Sequence, residues 1–393
     1  MKRLHLGLGF SALCGLMTLA SACTITTSNG TGDPTPSNNP SPSSTVDGGP
    51  GTVNGIAPDP GGQLPATTID NLKPAASFSA PTSTGGTVRV TLLGLIDPVT
   101  QQPIGFKANE TVFLAEDGVV KSLRVTQSDK NNNLPFDLTF VVDNSGSMGE
   151  EADGVANKIV EFVNVVAASG ADLRVAVVGY DGYVTGAINF TDAASIDAYL
   201  KRPDMTGTSR TTGFGGADAE TLQQKANDQQ SAGEASGSEN GIVAIKFAEA
   251  NLGFRPNAQR IFVNFTDEPT QPNNNTAIAT KTLCARWKPQ NGTIHTVWSG
   301  SESLAPDGGA TWTENQDENP ADLSACTPGG VVKTIKPDAT DLDLTTLPMT
   351  DALRSSALVE FNSKDPNVPH NVTIVVKNGT TSDGKTEFTN VKY

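Results

Sequence analysis

Four short, strand-like runs constrain this chain more than any other feature: LTFVV (138–142), LRVAVVGY (173–180), RIFVNFT (260–266) and TIHTVW (293–298). They are too short for core helices, and LTFVV is continuously apolar, as a strand covered on both faces must be. Between the runs the spacing turns helical. Val155, Ile159, Phe162, Val163 and Val166 recur at i, i+4 and i+7, Ile242, Ile245, Ala248 and Leu252 mark a second amphipathic stretch, and 276–287 reads as a third. INF (188–190) adds a further strand. Strand and helix in alternation predict an α/β fold, a doubly wound and mainly parallel sheet, over residues 136–351. Ligands of such sheets sit at the carboxyl ends of the strands.

The flanks follow a different rule. VRVTLLGLI (88–96), TVFLAEDG (111–118) and VKSLRVT (120–126) alternate like antiparallel strands, as do ALVEF (357–361), NVTIVV (371–376) and TEFTNVKY (386–393). Residues 86–135 and 352–393 are therefore expected to build one β-sandwich into which the α/β domain is inserted.

The first 23 residues read as an export signal: Lys2 and Arg3, an apolar stretch from Leu6 to Leu19, then small residues before Cys23. LASAC (19–23) resembles a bacterial lipoprotein box, which implies lipid on Cys23, and Thr24 fits that family's outer-membrane sorting rule. From Thr24 to Pro60, 25 of 37 residues are Gly, Pro, Ser or Thr, a composition unable to bury enough apolar surface to fold. A disordered tether is expected there, continuing to about residue 85 and holding the head away from a membrane, its outer face or its periplasmic one. With Cys14 lost in the signal and Cys23 lipidated, Cys284 and Cys326 remain to pair in an exported protein.

Acidic side chains outnumber basic ones 42 to 27, which excludes a nucleic-acid binder relying on Lys and Arg contacts to phosphate. The position of some of these acids points to a function. DNSGSM (143–148) follows the first buried strand, so Asp143, Ser145 and Ser147 would face one point with oxygen donors suited to Mg²⁺, Mn²⁺ or Ca²⁺. Asp267 arrives at the matching end of another strand in FTDEP, and Glu239 stands just before a helix.

At these residues the chain resembles the von Willebrand factor A family, whose DxSxS motif carries a metal-ion-dependent adhesion site. DNSGSMGEE is most similar to the integrin β-subunit version, which places Glu150 and Glu151 at an adjacent site with room for a second Ca²⁺. That version also takes a Glu before the central helix, the place of Glu239, and its domain is inserted into a β-sandwich. Here Ser238 replaces the Pro of that pattern, and Thr208, Thr211, Ser236, Asp218 and Glu220 compete for the third ligand position. The resemblance implies that the element near Leu342–Leu353 would relay a shift at the ion to the sandwich.

Serine and water ligands leave a cation's charge largely unneutralised, so a partner carboxylate can complete its coordination. The first reading is thus a lipid-anchored exported module that captures a protein or matrix ligand through metal. The second is a structural or assembly component of the envelope with a metal-stiffened head. A serine hydrolase using Ser147, Asp267 and His295 comes last, because the elbow lacks its Gly and His295 falls inside a strand, so no catalytic residue is assigned.

Overall fold

The strand-like runs pair as one sheet in the structure, a computed structural model that describes residues 52–79, 86–127, 134–149, 151–168, 171–203, 214–256, 258–300, 304 and 317–393. The export signal, Cys23, tether residues 24–51 and 80–85, Glu150, Thr208 and Thr211 lie outside the described residues. The N-terminal flank supplies β1 (Ala76–Ser79), β2 (Thr87–Leu92), β3 (Val112–Glu116), β4 (Val119–Val120) and β5 (Arg124–Gln127). The central segment begins with β6 (Pro135–Asp143), α1 (Ala152–Ala168), β7 (Asp172–Tyr180), β8 (Val184–Thr191), α2 (Ala193–Leu200), α3 (Glu220–Ser231) and α4 (Gly241–Asn251). It continues through β9 (Gln259–Thr266), α5 (Thr280–Arg286), β10 (Thr293–Trp298), α6 (Ala321–Ala325), β11 (Val332–Thr334) and α7 (Pro348–Ser355). The C-terminal flank adds β12 (Ala357–Asn362), β13 (His370–Asn378) and β14 (Ser382–Val391).

Among the described residues the central sheet has the order β11-β10-β9-β6-β7-β8. Every pairing is parallel except β7 with β8. The unbroken apolar run of β6 has a simple cause: Phe140 and Val142 pack with α1, α2 and α7 on one face, while Val141 packs with α3 to α6 on the other. Both faces are covered, so apolar residues stand on both parities of the strand, with Asp137, Thr139 and Asp143 buried among them.

The sandwich consists of two antiparallel sheets, β1-β2-β12-β5 and β14-β13-β3-β4, each drawing strands from both flanks. Val90, Leu114, Phe361, Ile374 and Phe388 lie in the core between them. Strand β5 pairs directly with β12, Gln127 opposite Ala357, so the chain leaves and re-enters the sandwich at adjacent points. An α/β domain can be inserted there without parting the sheet. Among the described residues no helix is long and apolar enough to cross a membrane.

Three expectations are corrected. The tether does not run on to residue 85: residues 68–70 are clamped by Asp383, whose carboxylate accepts from the backbone of Thr68, Ile69 and Asp70, and β1 enters the sandwich. Composition speaks for the entropy of that segment but cannot see a partner more than 300 residues away. The 276–287 stretch is broken, because Asn275 caps a short turn at Thr276–Ile278 and Ala279 is extended before α5 starts. Likewise 342–353 is no single element. Leu347 precedes Pro348 and is extended, as pre-proline residues prefer, separating a turn at Leu344–Thr346 from α7.

Candidate metal centre

Strand β6 ends at Asp143, whose carboxylate is wholly buried. Its Oδ1 accepts the N–H of Ser145 at 2.9 Å, and its Oδ2 accepts the hydroxyl of Thr266 at 3.1 Å. The turn that follows is held to the neighbouring strand by Asn144, whose N–H meets Tyr180 O at 2.5 Å. Ser145 Oγ and Ser147 Oγ lie 2.9 Å apart, and Ser147 Oγ donates to Asp267 Oδ1 at 3.2 Å. Asp267 follows β9 directly, and β9 is the parallel neighbour of β6. Parallel pairing brings both carboxyl ends to one edge, so residues more than 120 positions apart in part of this set share one hydrogen-bonded chain of oxygens.

Asp143, Ser145, Ser147 and Asp267 are thus brought together as the sequence suggested. Glu239 is placed nearby by its backbone: its carbonyl accepts Gln271 N at 2.9 Å, while Asn240 N reaches Asp181 O at 3.1 Å. Gly182 permits that approach, since a Cβ there would stand 2.6 Å from Ser238 N. The Glu239 carboxylate couples electrostatically to Asp143 and Asp267. Of the competing candidates, Ser236 gives its hydroxyl to the Ser238 carbonyl, Asp218 N bonds to Ala187 O on β8, and Glu220 opens α3 exposed to solvent. Glu151 is buried, and its carboxylate accepts the hydroxyl of Ser299.

Electrostatically the edge is one-sided. Burial, reinforced by the charges of Asp267 and Glu239, pushes the Asp143 carboxyl well up from its usual range. Burial also raises Glu151 to about 7, with Asp267 and Asp338 adding to the effect, and raises Glu239, with Asp181 and Asp267 adding there. Asp267 therefore bears on all three. Among the described residues no group of three or more His, Cys, Asp or Glu side chains is gathered closely enough to hold a metal by itself; the gathered set is two carboxylates and two serines.

Sequence reasoning missed Thr266 and Ser299, the hydroxyls that orient Asp143 and Glu151. Thr266 stands directly before Asp267, yet its inward face depends on strand parity. The hydrolase arrangement does not form: His295 is buried in β10, where its Nδ1 accepts the N–H of Val331 at 3.3 Å, and it bonds to neither Ser147 nor Asp267. Cys284 and Cys326 do form a disulfide, with Cα atoms 5.6 Å apart.

Residues 137–304 match the family described as von Willebrand factor type A domain. No curated protein matches the chain. Many solved structures match, among them three that are distant in sequence. An aerotolerance-related membrane protein from Bacteroides fragilis has 12% identity over 55% of this chain and 98% of its own, with TM-score 0.31. The pilus adhesin SpaC from Lactobacillus rhamnosus GG, in an open conformation, has 11% identity over 87% of this chain and 49% of its own, with TM-score 0.37. The von Willebrand factor domain of a type V pilus tip protein from Porphyromonas gingivalis has 12% identity over 56% of this chain and 95% of its own, with TM-score 0.30. Residues 137–304, with the site at their strand ends, thus carry a von Willebrand factor type A domain.

Proposed function

We propose that the chain is an exported, lipid-anchored binding protein whose type A domain holds one divalent cation and captures a protein or matrix ligand through that ion. The observation that carries this reading is the oxygen chain Asp143, Ser145, Ser147 and Asp267 at one sheet edge. The residues present fit such a group: hard oxygen donors suit Mg²⁺, Mn²⁺ or Ca²⁺, and a buried carboxylate beside like charges gains most from a cation. When bound, the cation would supply a Lewis-acidic position for a ligand carboxylate. The chain's own part is to orient Asp143 through Ser145 N–H and Thr266, and to present two hydroxyls from the turn. Glu239 is close enough to act on Asp143 electrostatically and is the proposed acidic complement across the loop. Glu151, with Glu150, is the proposed edge of a second, Ca²⁺-type site.

Export to the outer membrane is supported by the signal-like start, the lipoprotein-box resemblance at Cys23 and the Cys284–Cys326 disulfide, which belongs to an oxidising compartment. Calorimetric titration of Mg²⁺, Mn²⁺ and Ca²⁺ into the purified chain should detect a site that the Ser145→Ala/Ser147→Ala double variant loses. Absence of cation binding to the unaltered chain overturns the metal reading. Cross-linking on intact cells, with and without chelator, addresses the ligand: a partner captured equally in both arms would refute metal-dependent capture.

A further inference from the structure

Lys121 is almost wholly buried in the sandwich, its side chain 2% exposed. The β3–β4 hairpin sets it on the same sheet face as Glu116, because Lys121 N bonds Leu114 O and side chains alternate from there. Its Nζ lies 2.7 Å from Asp59 Oδ2 and 3.5 Å from Glu116 Oε2. The centroid of the buried Phe361 ring is 6.0 Å from the same nitrogen.

Asp59 comes from the stretch ahead of β1 and is held to the hairpin by Ser122. The N–H of Ser122 donates to Asp59 Oδ1 at 3.2 Å, and its hydroxyl donates to Pro58 O at 2.7 Å. Glu116 is oriented in turn, since Tyr393 Oη donates to its other oxygen, Oε1, at 3.1 Å. Composition separates this set from an ordinary ion pair: the amine faces a second carboxylate, and a backbone donor holds the far oxygen of the first. Buried ions are costly even when paired, so moving a proton from the ammonium to Asp59 relieves the site. The neutral amine and carboxylic acid that result are also the forms that react.

We propose that Lys121 and Asp59 join in a side-chain amide, formed within the folded chain with Glu116 as proton carrier. Lys121 Nζ attacks Asp59 Cγ, and negative charge gathers on Oδ1, where the Ser122 N–H donates. Glu116 takes a proton from Nζ and passes it to the Oδ2 hydroxyl, which leaves as water. The Nζ–Cγ bond forms, the Cγ–Oδ2 bond breaks, and no oxidant or co-reactant is needed. A desolvated lysine held against its electrophile has the proximity such a step requires. The product amide is neutral, and Glu116 keeps Tyr393 and, 3.9 Å away, His370 as partners. A pull on the chain ahead of Asp59 would then pass into the hairpin without loading β1 or the clamp at residues 68–70. The proposal is independent of the metal reading.

The purified full chain, denatured, reduced and digested with trypsin, tests this by peptide mass spectrometry. Trypsin does not cleave after an acylated lysine, so a branched peptide should join the Asp59 segment to 108–124 and weigh one water less than its two parts. Asp59→Ala should give linear 108–121 alone. Glu116→Gln, which removes a proton carrier worth about a hundredfold or more in rate, should give chiefly linear peptides. Linear peptides alone from the unaltered chain overturn the proposal, as does a branch carried by any carboxylate other than Asp59. A branch formed as fully in Glu116→Gln refutes the role of Glu116. The digest of the unaltered chain decides even if neither variant folds.

Discussion

Replacing Asp143 with Asn should make the metal-free protein more stable and the metal-loaded protein comparatively less so. Asn keeps an oxygen for the Ser145 N–H, a bond of 2.9 Å. Its amide can donate to Thr266 Oγ1, because that hydroxyl has a second acceptor, the Glu268 carbonyl at 2.9 Å. The hydrogen bonding is thus conserved by reversing one donor, while a wholly buried acid beside Asp267 and Glu239 is removed. Desolvating a polar group whose needs are poorly met costs on the order of 1–3 kcal/mol, so the variant in chelator should gain about that much. For a domain of this size roughly 2–4 °C in melting temperature accompanies each kcal/mol, giving a rise of about 2–12 °C. With Mg²⁺ at a hundred times its dissociation constant, the unaltered protein should gain about 2.7 kcal/mol and the variant nearly nothing. The order of stability should therefore narrow or invert between chelator and Mg²⁺. Thermal melting of both proteins under both conditions reads the effect. A variant less stable than the parent in chelator would refute the claim of electrostatic tension. One that gained as much from Mg²⁺ as the parent would refute the role of Asp143.

Other expectations concern pH and structure. Asp143, Glu151 and Glu239 have folded values above their unfolded ones, so in chelator their penalty grows as pH rises through about 7 for Glu151. Asp383 opposes them at the acid end: backbone N–H groups, foremost that of Asp70, depress it, and its contribution is lost only as pH falls below the ordinary carboxylate range. Melting in chelator should peak near about pH 5, and Mg²⁺ should raise stability more at pH 8 than at pH 5; a pH-independent Mg²⁺ effect contradicts this. Arg255→Met should cost about 3–5 kcal/mol in urea unfolding, since it strands buried Asp137, now paired with Arg255 Nε at 2.8 Å, and adding Asp137→Asn should recover part of the loss. Reducing the Cys284–Cys326 bond, which spans 42 positions, should lower stability by about 4 kcal/mol in the chain-entropy account, measured by unfolding with and without reductant.

The central sheet was legible because its physics is local. A strand covered on both faces carries apolar residues on both parities, as Phe140, Val141 and Val142 do in β6, and a helix covering it must repeat at i, i+4 and i+7, as α1 does. The DNSGSM turn was legible for the same reason, since short spacing alone sets Ser145 and Ser147 together. What could not be read depends on partners distant in sequence. Strand β1 and the clamp at residues 68–70 are set by β2 and Asp383, and nothing in their own composition announces it. Helices α2 and α3 escaped notice for a different reason. α3 buries only Leu222 and Ala226, so its apolar stripe is too thin to stand out from a polar loop.

The same division explains the uneven reading of the candidate metal centre. Asp143, Ser145, Ser147 and Asp267 are fixed by two parallel strands whose register is set along many residues, so their convergence follows once β6 and β9 are neighbours. Glu239 instead sits in a loop held by Asp181, Gln271 and the close approach at Gly182. Three backbone contacts from different loops place it, and they set its carbonyl more firmly than its carboxylate. Two strand ends facing an acidic loop held from outside the strands form the arrangement the proposed cation site would use. Stiffening that loop at Glu239 should therefore change cation affinity without disturbing the strands, whereas any change at Asp143 touches both.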